Sequence, residues 1–149
     1  MESNNEVISD LKSLVSIVND GKEGYNSAAD ATDNLELKAV FLEYASQRNV
    51  YEQELKAHIA THGGDSENDS GGILGALHRT WIDIKESLSS NEDSAILSAI
   101  ETGENAAIEK YDKFIGDYAS HQDHLNLLVK QRGGIAEALA KIKTLSVNS

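Results

Sequence analysis

The sequence predicts an all-α protein with four long helices, arranged as two helical hairpins that a long connector joins. Three observations lead to this fold class. Apolar residues recur at three- and four-residue steps over four long segments, and the chain has no proline to interrupt a helix. The polar stretches between the segments are alternately very short and long. The 149 residues are enough for one domain with a hydrophobic core, so we expect a single domain over 1–149.

Two long segments with helical periodicity, and the turn between them, predict the first hairpin. The first helix is expected at about 4–31, where apolar residues share one face. Asn34 is the expected N-cap of the second helix, because its short side chain can accept hydrogen bonds from the first backbone N–H groups. The second helix is expected at about 35–61, and it should end at Gly63.

The second hairpin follows a connector at 63–91, which holds a short amphipathic helix at about 73–88. The third and fourth helices are expected at about 92–118 and 121–145. Two hairpins with short turns and a long connector are typical of a ferritin-like four-helix bundle, in which the second and third helices run parallel. The alternative is an up-down bundle in which 73–118 forms one bent helix.

Composition excludes several function classes. The chain has no cysteine, so it has no disulfides, thiolate ligands or cysteine nucleophile, and we expect a reducing, cytoplasmic location. The formal charge of −12 disfavours nucleic acid and anionic membranes as partners. No apolar run is long enough to span a bilayer, and no signal peptide is recognisable at the N-terminus.

Arg48 lies near the centre of the apolar face of the second helix. Its guanidinium cannot lose its charge, so it needs an acid or a set of carbonyl groups inside the bundle. The other residues of this stripe are apolar or aromatic: Leu37, Val40, Phe41, Tyr44, Tyr51, Leu55 and Ile59. In a ferritin-like protein the same interior would hold a metal site.

Glu104 is the expected partner of Arg48. In the third helix it is the inward acid, and parallel second and third helices place it within about one turn of the level of Arg48. We therefore predict a buried ion pair. Its remaining hydrogen bonds are expected from Gln131, Tyr51 and either Tyr44 or Glu52.

The ligand pattern of a ferritin-like di-iron site is missing. Such a site takes a glutamate from each of two helices and a Glu-x-x-His motif from each of the other two. This chain contains no Glu-x-x-His, and its second helix presents Arg48 and Tyr51 inward instead. We therefore expect no cofactor and no catalytic residues. The alternative is an iron- or manganese-dependent ferritin-like oxidoreductase or storage protein.

Two histidine pairs offer a different metal site. His58 and His62 are spaced i, i+4 near the end of the second helix, and His121 and His124 are spaced i, i+3 at the start of the fourth. In a ferritin-like arrangement both pairs lie at one end of the bundle, where four imidazoles could bind zinc. The alternative is that they are ordinary polar residues at helix ends.

Several stretches resemble an uncharacterised bacterial family of small ferritin-like four-helix bundles, a domain of unknown function. They are DGKEGYNSAA (Asp20–Ala29), ELKAVFLEYASQRNVYEQEL (Glu36–Leu55), GALHRTWIDIK (Gly75–Lys85) and ETGENAAIEKY (Glu101–Tyr111). The resemblance extends to about Tyr118 and is weaker in the fourth helix. It implies a bacterial cytoplasmic protein without an established activity. Members often carry Glu and His where this chain has Gly134 and Leu139, which weakens any metal site carried over from the family.

These observations predict a non-catalytic ferritin-like bundle. We expect a structural or interaction protein, with a stress-related role as one option, in which a buried Arg-Glu core replaces the di-metal site. It would act through its helical surfaces, as a homodimer or with a protein partner.

Overall fold

A computed structural model describes residues 4–63 and 92–148. These residues form four helices and no strand: α1 Asn4–Ala31, α2 Leu35–Thr61, α3 Asp93–Asp117 and α4 Gln122–Asn148. The four predicted helices and the all-α class are confirmed, and α4 continues three residues beyond its predicted end. The predicted short helix at 73–88, the connector beyond Gly63 and the 73–91 part of the bent-helix alternative fall on residues outside the described ranges.

The two ends of α2 are set by its sequence. The side-chain oxygen of Asn34 accepts hydrogen bonds from the backbone N–H groups of Glu36 at 2.9 Å and Leu37 at 3.1 Å. This confirms Asn34 as the N-cap. At the other end, Gly63 has φ of 81°, a left-handed conformation that glycine adopts without the steric cost of a Cβ atom.

Two contacts between the hairpins establish the direction of the helices. Thr32, in the turn between α1 and α2, donates a hydrogen bond to Asp93 at the start of α3, at 2.7 Å. At the opposite end, the Tyr118 hydroxyl after α3 donates to Asp10 near the start of α1. α2 and α3 therefore begin at the same end and run parallel, as a ferritin-like bundle requires. The closest packing is of α1 on α2, of α3 on α4 and of α1 on α3.

The core consists of two apolar clusters, one towards each end of the bundle. One cluster contains Leu14, Leu55 and Phe114, and the other contains Phe41 and Ile100. Arg48 and Glu104 are buried but belong to neither cluster. None of the four described helices is both long enough and apolar enough to cross a membrane.

Candidate functional site

The middle of the bundle holds a fully buried ion pair between Arg48 of α2 and Glu104 of α3. The two side chains are 1% and 0% exposed. Arg48 donates from Nη1 to Glu104 Oε1 at 2.7 Å and from Nη2 to Oε2 at 2.5 Å. Two parallel charge-assisted hydrogen bonds fix both the distance and the orientation of the pair. Removing either partner would leave the other as an uncompensated buried charge.

Tyr25 of α1 supplies the third contact to this carboxylate. Its hydroxyl donates to Glu104 Oε2 at 2.5 Å, and the Arg48 guanidinium carbon lies 5.3 Å from the centre of its ring. Burial, together with the negative charge of Glu104, raises the pKa of Tyr25 well above its ordinary value. The phenol therefore stays protonated and remains a donor. The sequence analysis named Gln131, Tyr51 and either Tyr44 or Glu52 as partners of the ion pair, and it missed Tyr25.

Gly21 provides the space that Arg48 occupies. A Cβ atom at this position would lie 3.0 Å from Arg48 Nη1, closer than carbon and nitrogen normally approach. That nitrogen is held by Glu104 and cannot move away freely. The glycine thus allows α1 to pack over the guanidinium.

Gln131 does not bind the ion pair, contrary to the expectation from sequence. Its side-chain oxygen accepts from the Tyr111 hydroxyl at 2.6 Å, and its nitrogen donates to the Tyr51 backbone oxygen at 3.2 Å and to Glu54 at 3.1 Å. Arg48 and Tyr25 already supply the hydrogen bonds to Glu104, whereas the Tyr111 hydroxyl needs an acceptor in the interior. Burial raises the pKa of Tyr111, so this hydroxyl is also a donor.

Tyr51 likewise contacts α4 rather than the ion pair. A Cβ atom on Gly134 would lie 2.9 Å from Tyr51 Cζ and closer still to the hydroxyl oxygen. The tyrosine ring tip therefore fills the volume in which a side chain at position 134 would begin. This explains physically why a small residue stands there in this chain.

Tyr44 and Glu52 are also placed differently from the sequence expectation. Tyr44 is half-buried and packs against Tyr25, with ring centroids 5.6 Å apart. Glu52 lies at the edge of the core and pairs with Lys22 at 2.9 Å and Lys56 at 2.8 Å. Burial alone would raise the pKa of Glu52, but hydrogen bonds from these two lysines outweigh it and lower the pKa.

A second polar group, the end cluster, consists of His58, His62, Asp123 and His124. One ligand atom from each residue lies within 4.8 Å of the others. His58 Nε2 is 2.7 Å from His124 Nδ1, and His62 Nε2 is 3.1 Å from Asp123 Oδ2. The end of α2 and the start of α4 bring these residues together. His121, which sequence reasoning included, is outside this group, and Asp123 takes its place because it lies next to His124 and faces His62.

The electrostatics of the end cluster lower the pKa of two of its imidazoles, His58 and His124. Burial, followed by the neighbouring histidines, lowers the pKa of His58. Burial also lowers the pKa of His124, and Asp123 offsets this only in part. Asp123 itself has a lowered pKa because the histidine charges outweigh its slight burial. Neutral imidazole nitrogens beside a carboxylate have lone pairs available for a cation.

Comparisons with known proteins agree with this architecture. Two solved structures with 19% and 18% sequence identity are similar: a C-terminal deletion mutant of Mycobacterium smegmatis Dps and a point mutant of Mycobacterium smegmatis Dps1. The match to the first structure has a TM-score of 0.81 and covers 95% of this chain and 98% of the Dps chain. The corresponding values for the second are 0.82, 98% and 99%. At these identities the likeness establishes the ferritin-like fold alone. No curated protein matches the sequence.

The family comparison is more direct. The family described as a domain of unknown function, DUF2383, matches residues 6–117, which include α1, α2 and α3 almost completely. This range agrees with the extent of the resemblance seen in the sequence. The chain therefore belongs to the DUF2383 family and has a ferritin-like four-helix fold.

Proposed function

We propose that this protein is a non-catalytic, cytoplasmic ferritin-like bundle that acts as a structural or interaction protein through its helical surfaces. The buried Arg48–Glu104 pair takes the place of an interior metal site. The observation that carries this proposal is the bidentate hydrogen bonding of Arg48 to Glu104 at 2.7 and 2.5 Å, with both side chains buried.

The interior charges do not fit a di-metal centre. Glu52 and Glu104 are the buried acids of the described residues, and protein cations already neutralise both. A ferritin-like di-iron site would need four carboxylates and two imidazoles facing inward, without a fixed positive charge among them. The guanidinium of Arg48 would repel metal ions at this position.

The contact of Tyr51 with Gly134 supports the same conclusion. A glutamate at position 134 would be needed there as an inward metal ligand from α4. In this chain the tip of Tyr51 fills that volume, so a glutamate side chain would have no room there. The fourth helix thus contributes space for an aromatic ring rather than a ligand.

The outward face of α2 supports a role in protein contacts. Leu35 and Leu42, seven residues apart, share one stripe of the helix and are 79% and 49% exposed, and Val50 is 51% exposed on the same outward side. Exposed aliphatic residues aligned on a helix are suited to packing against a second helix. A homodimer through α2 is the simplest arrangement of this kind.

Metal analysis tests the interior. The measurement uses untagged protein that carries both His58→Gln and His124→Gln. These substitutions remove two ligands of the end cluster, so only metal bound in the interior is detected. We expect iron and manganese to remain well below one ion per chain, and Fe²⁺ to oxidise no faster than in buffer. Stoichiometric iron or manganese in this variant, or faster oxidation, would contradict the proposal.

Light scattering coupled to gel filtration tests the surface. We expect a wild-type mass of two chains or more, and Leu42→Glu should shift the protein towards the monomer because an acid replaces an apolar contact. Val129→Glu is the matched control, since Val129 on α4 is 50% exposed. A monomeric wild type that also retains no protein partner, or equal effects of both substitutions, would refute the role of the α2 surface.

A further inference from the structure

The end cluster converges on a single point from both hairpins. His58 and His62 come from the end of α2, and Asp123 and His124 come from the start of α4. We propose that these four residues bind one divalent transition metal ion of the zinc type, which links the two hairpins at this end of the bundle. This site is separate from the metal-free interior, so it extends the function proposed above.

The known distances between ligand atoms bracket the value that a four-coordinate site requires. Bonds of about 2.0–2.1 Å in a tetrahedron place the ligand atoms about 3.3 Å from one another. Here His62 Nε2 and Asp123 Oδ2 are 3.1 Å apart, and His124 Nδ1 is 3.8 Å from the same oxygen. His58 and His124 need to separate slightly from 2.7 Å. All the ligand atoms lie within 4.8 Å of one another, so the more distant pairs must approach by up to about 1.5 Å, which side-chain rotations can supply.

The donor set selects the class of ion. Three imidazole nitrogens and one carboxylate oxygen suit Zn²⁺ and neighbouring transition metals, whereas Ca²⁺ and Mg²⁺ prefer oxygen ligands throughout. Four protein ligands fill a tetrahedron and leave no position for substrate, which is the pattern of a structural site. The site therefore fits a non-catalytic protein.

Hydrogen bonds and a metal ion are alternative ways to satisfy the ring nitrogens of this cluster. Between His58 Nε2 and His124 Nδ1 only one nitrogen can carry the proton, and the His62 and Asp123 atoms converge on the same small volume. The three imidazole rings are packed with centroids 4.7–5.0 Å apart. A cation would replace the hydrogen bonds between His58 and His124 and between His62 and Asp123, and each ligand atom would then face the ion.

Zinc binding to the untagged, full-length protein tests the proposal. Metal is removed with a chelator, and Zn²⁺ is titrated in competition with a chromophoric chelator. Co²⁺ is then used as a spectroscopic probe. We expect one Zn²⁺ per chain, intense visible absorption of four-coordinate Co²⁺, and a higher melting temperature with zinc.

Variants locate the ion. His58→Gln and Asp123→Asn should each weaken zinc binding more than about tenfold, because loss of an outer-shell partner alone costs about 10–100-fold. Asp123 is exposed, so its substitution leaves the core unchanged. His121→Gln is the matched control and should bind within about twofold of wild type, since His121 lies beside the cluster but outside it. The absence of saturable binding, the weak spectrum of six-coordinate Co²⁺, or an equal loss in His121→Gln would overturn the proposal.

Discussion

Substituting Arg48 should reveal how strongly the interior depends on its ion pair. Arg48→Ala leaves the Glu104 carboxylate buried, with Tyr25 as its remaining donor, and removes the packing of the arginine stem. Breaking a buried pair by removing one partner costs about 3–5 kcal/mol in unfolding free energy. Arg48→Met keeps much of the packing of the arginine stem. The free energy of unfolding should therefore be about 2 kcal/mol higher in Arg48→Met than in Arg48→Ala.

A double-mutant cycle isolates the pair. Glu104→Gln alone leaves the guanidinium without its counter-charge, whereas Arg48→Met combined with Glu104→Gln removes both charges. Replacing a buried pair by uncharged groups of similar size is often nearly neutral. The double variant should therefore be more stable than the sum of the single effects predicts, with a coupling energy of about 2–3 kcal/mol.

Urea denaturation followed by circular dichroism measures these effects. With a slope of about 2 kcal/mol/M, a loss of 4 kcal/mol moves the midpoint by about 2 M. The buffer should contain a chelator, so that metal at the end cluster does not contribute. Arg132→Met is the control, because Arg132 pairs with Asp112 on the surface at 2.8 Å and an exposed pair contributes about 1 kcal/mol or less. Additive single effects, or an Arg48→Ala midpoint equal to that of wild type, would refute the reasoning.

Three further predictions use the same denaturation assay. Gly134→Ala should destabilise the protein, because the new Cβ atom would overlap Tyr51. Gly133→Ala should stabilise it by up to about 1 kcal/mol, because a Cβ atom there has no neighbour within 4 Å and alanine favours the helix. Equal effects of the two substitutions would contradict the contact between Tyr51 and position 134. Tyr25→Phe should cost about 1.5–3 kcal/mol, since it removes a hydrogen bond to a buried charge, and an unchanged midpoint would exclude that bond. The pKa of Glu52 is lower in the folded than in the unfolded protein, so the stability that Glu52 contributes is present above its unfolded pKa of about 4.5 and is lost as the pH falls through the folded pKa. Glu52→Gln should therefore lower the stability at pH 7 and make it depend less on pH in the acid range. If wild type and variant lose stability in parallel as the pH falls, the assignment is refuted.

The helices and the inward position of Arg48 were predictable from sequence, but some partners within the site were not. Periodicity gives the angle of each residue around its helix, and from this Arg48 and Glu104 both face the interior. Periodicity does not give how far a side chain extends, or which of several polar side chains forms the hydrogen bond to Glu104. Tyr25 therefore contacts Glu104 in the structure, while Gln131 turns to Tyr111.

The end cluster shows the same limit. The spacing of the histidines predicted that α2 and α4 would bring imidazoles to one end of the bundle. The choice between His121 and Asp123 depends on the position of the first turn of α4 relative to the end of α2, and no pattern within one helix contains that offset.

The sequence by itself determined the four helices, the Asn34 cap and the Gly63 end of α2, and the face that each helix turns inward. These follow from local hydrogen bonding and from burial of apolar residues at helical spacing. Only the tertiary structure decided which side chains meet. The packing of α1 over Arg48 at Gly21 and the reach of Tyr51 towards Gly134 depend on distances between helices. Those distances are set by all the side chains of the core together, and no segment of the sequence specifies them alone.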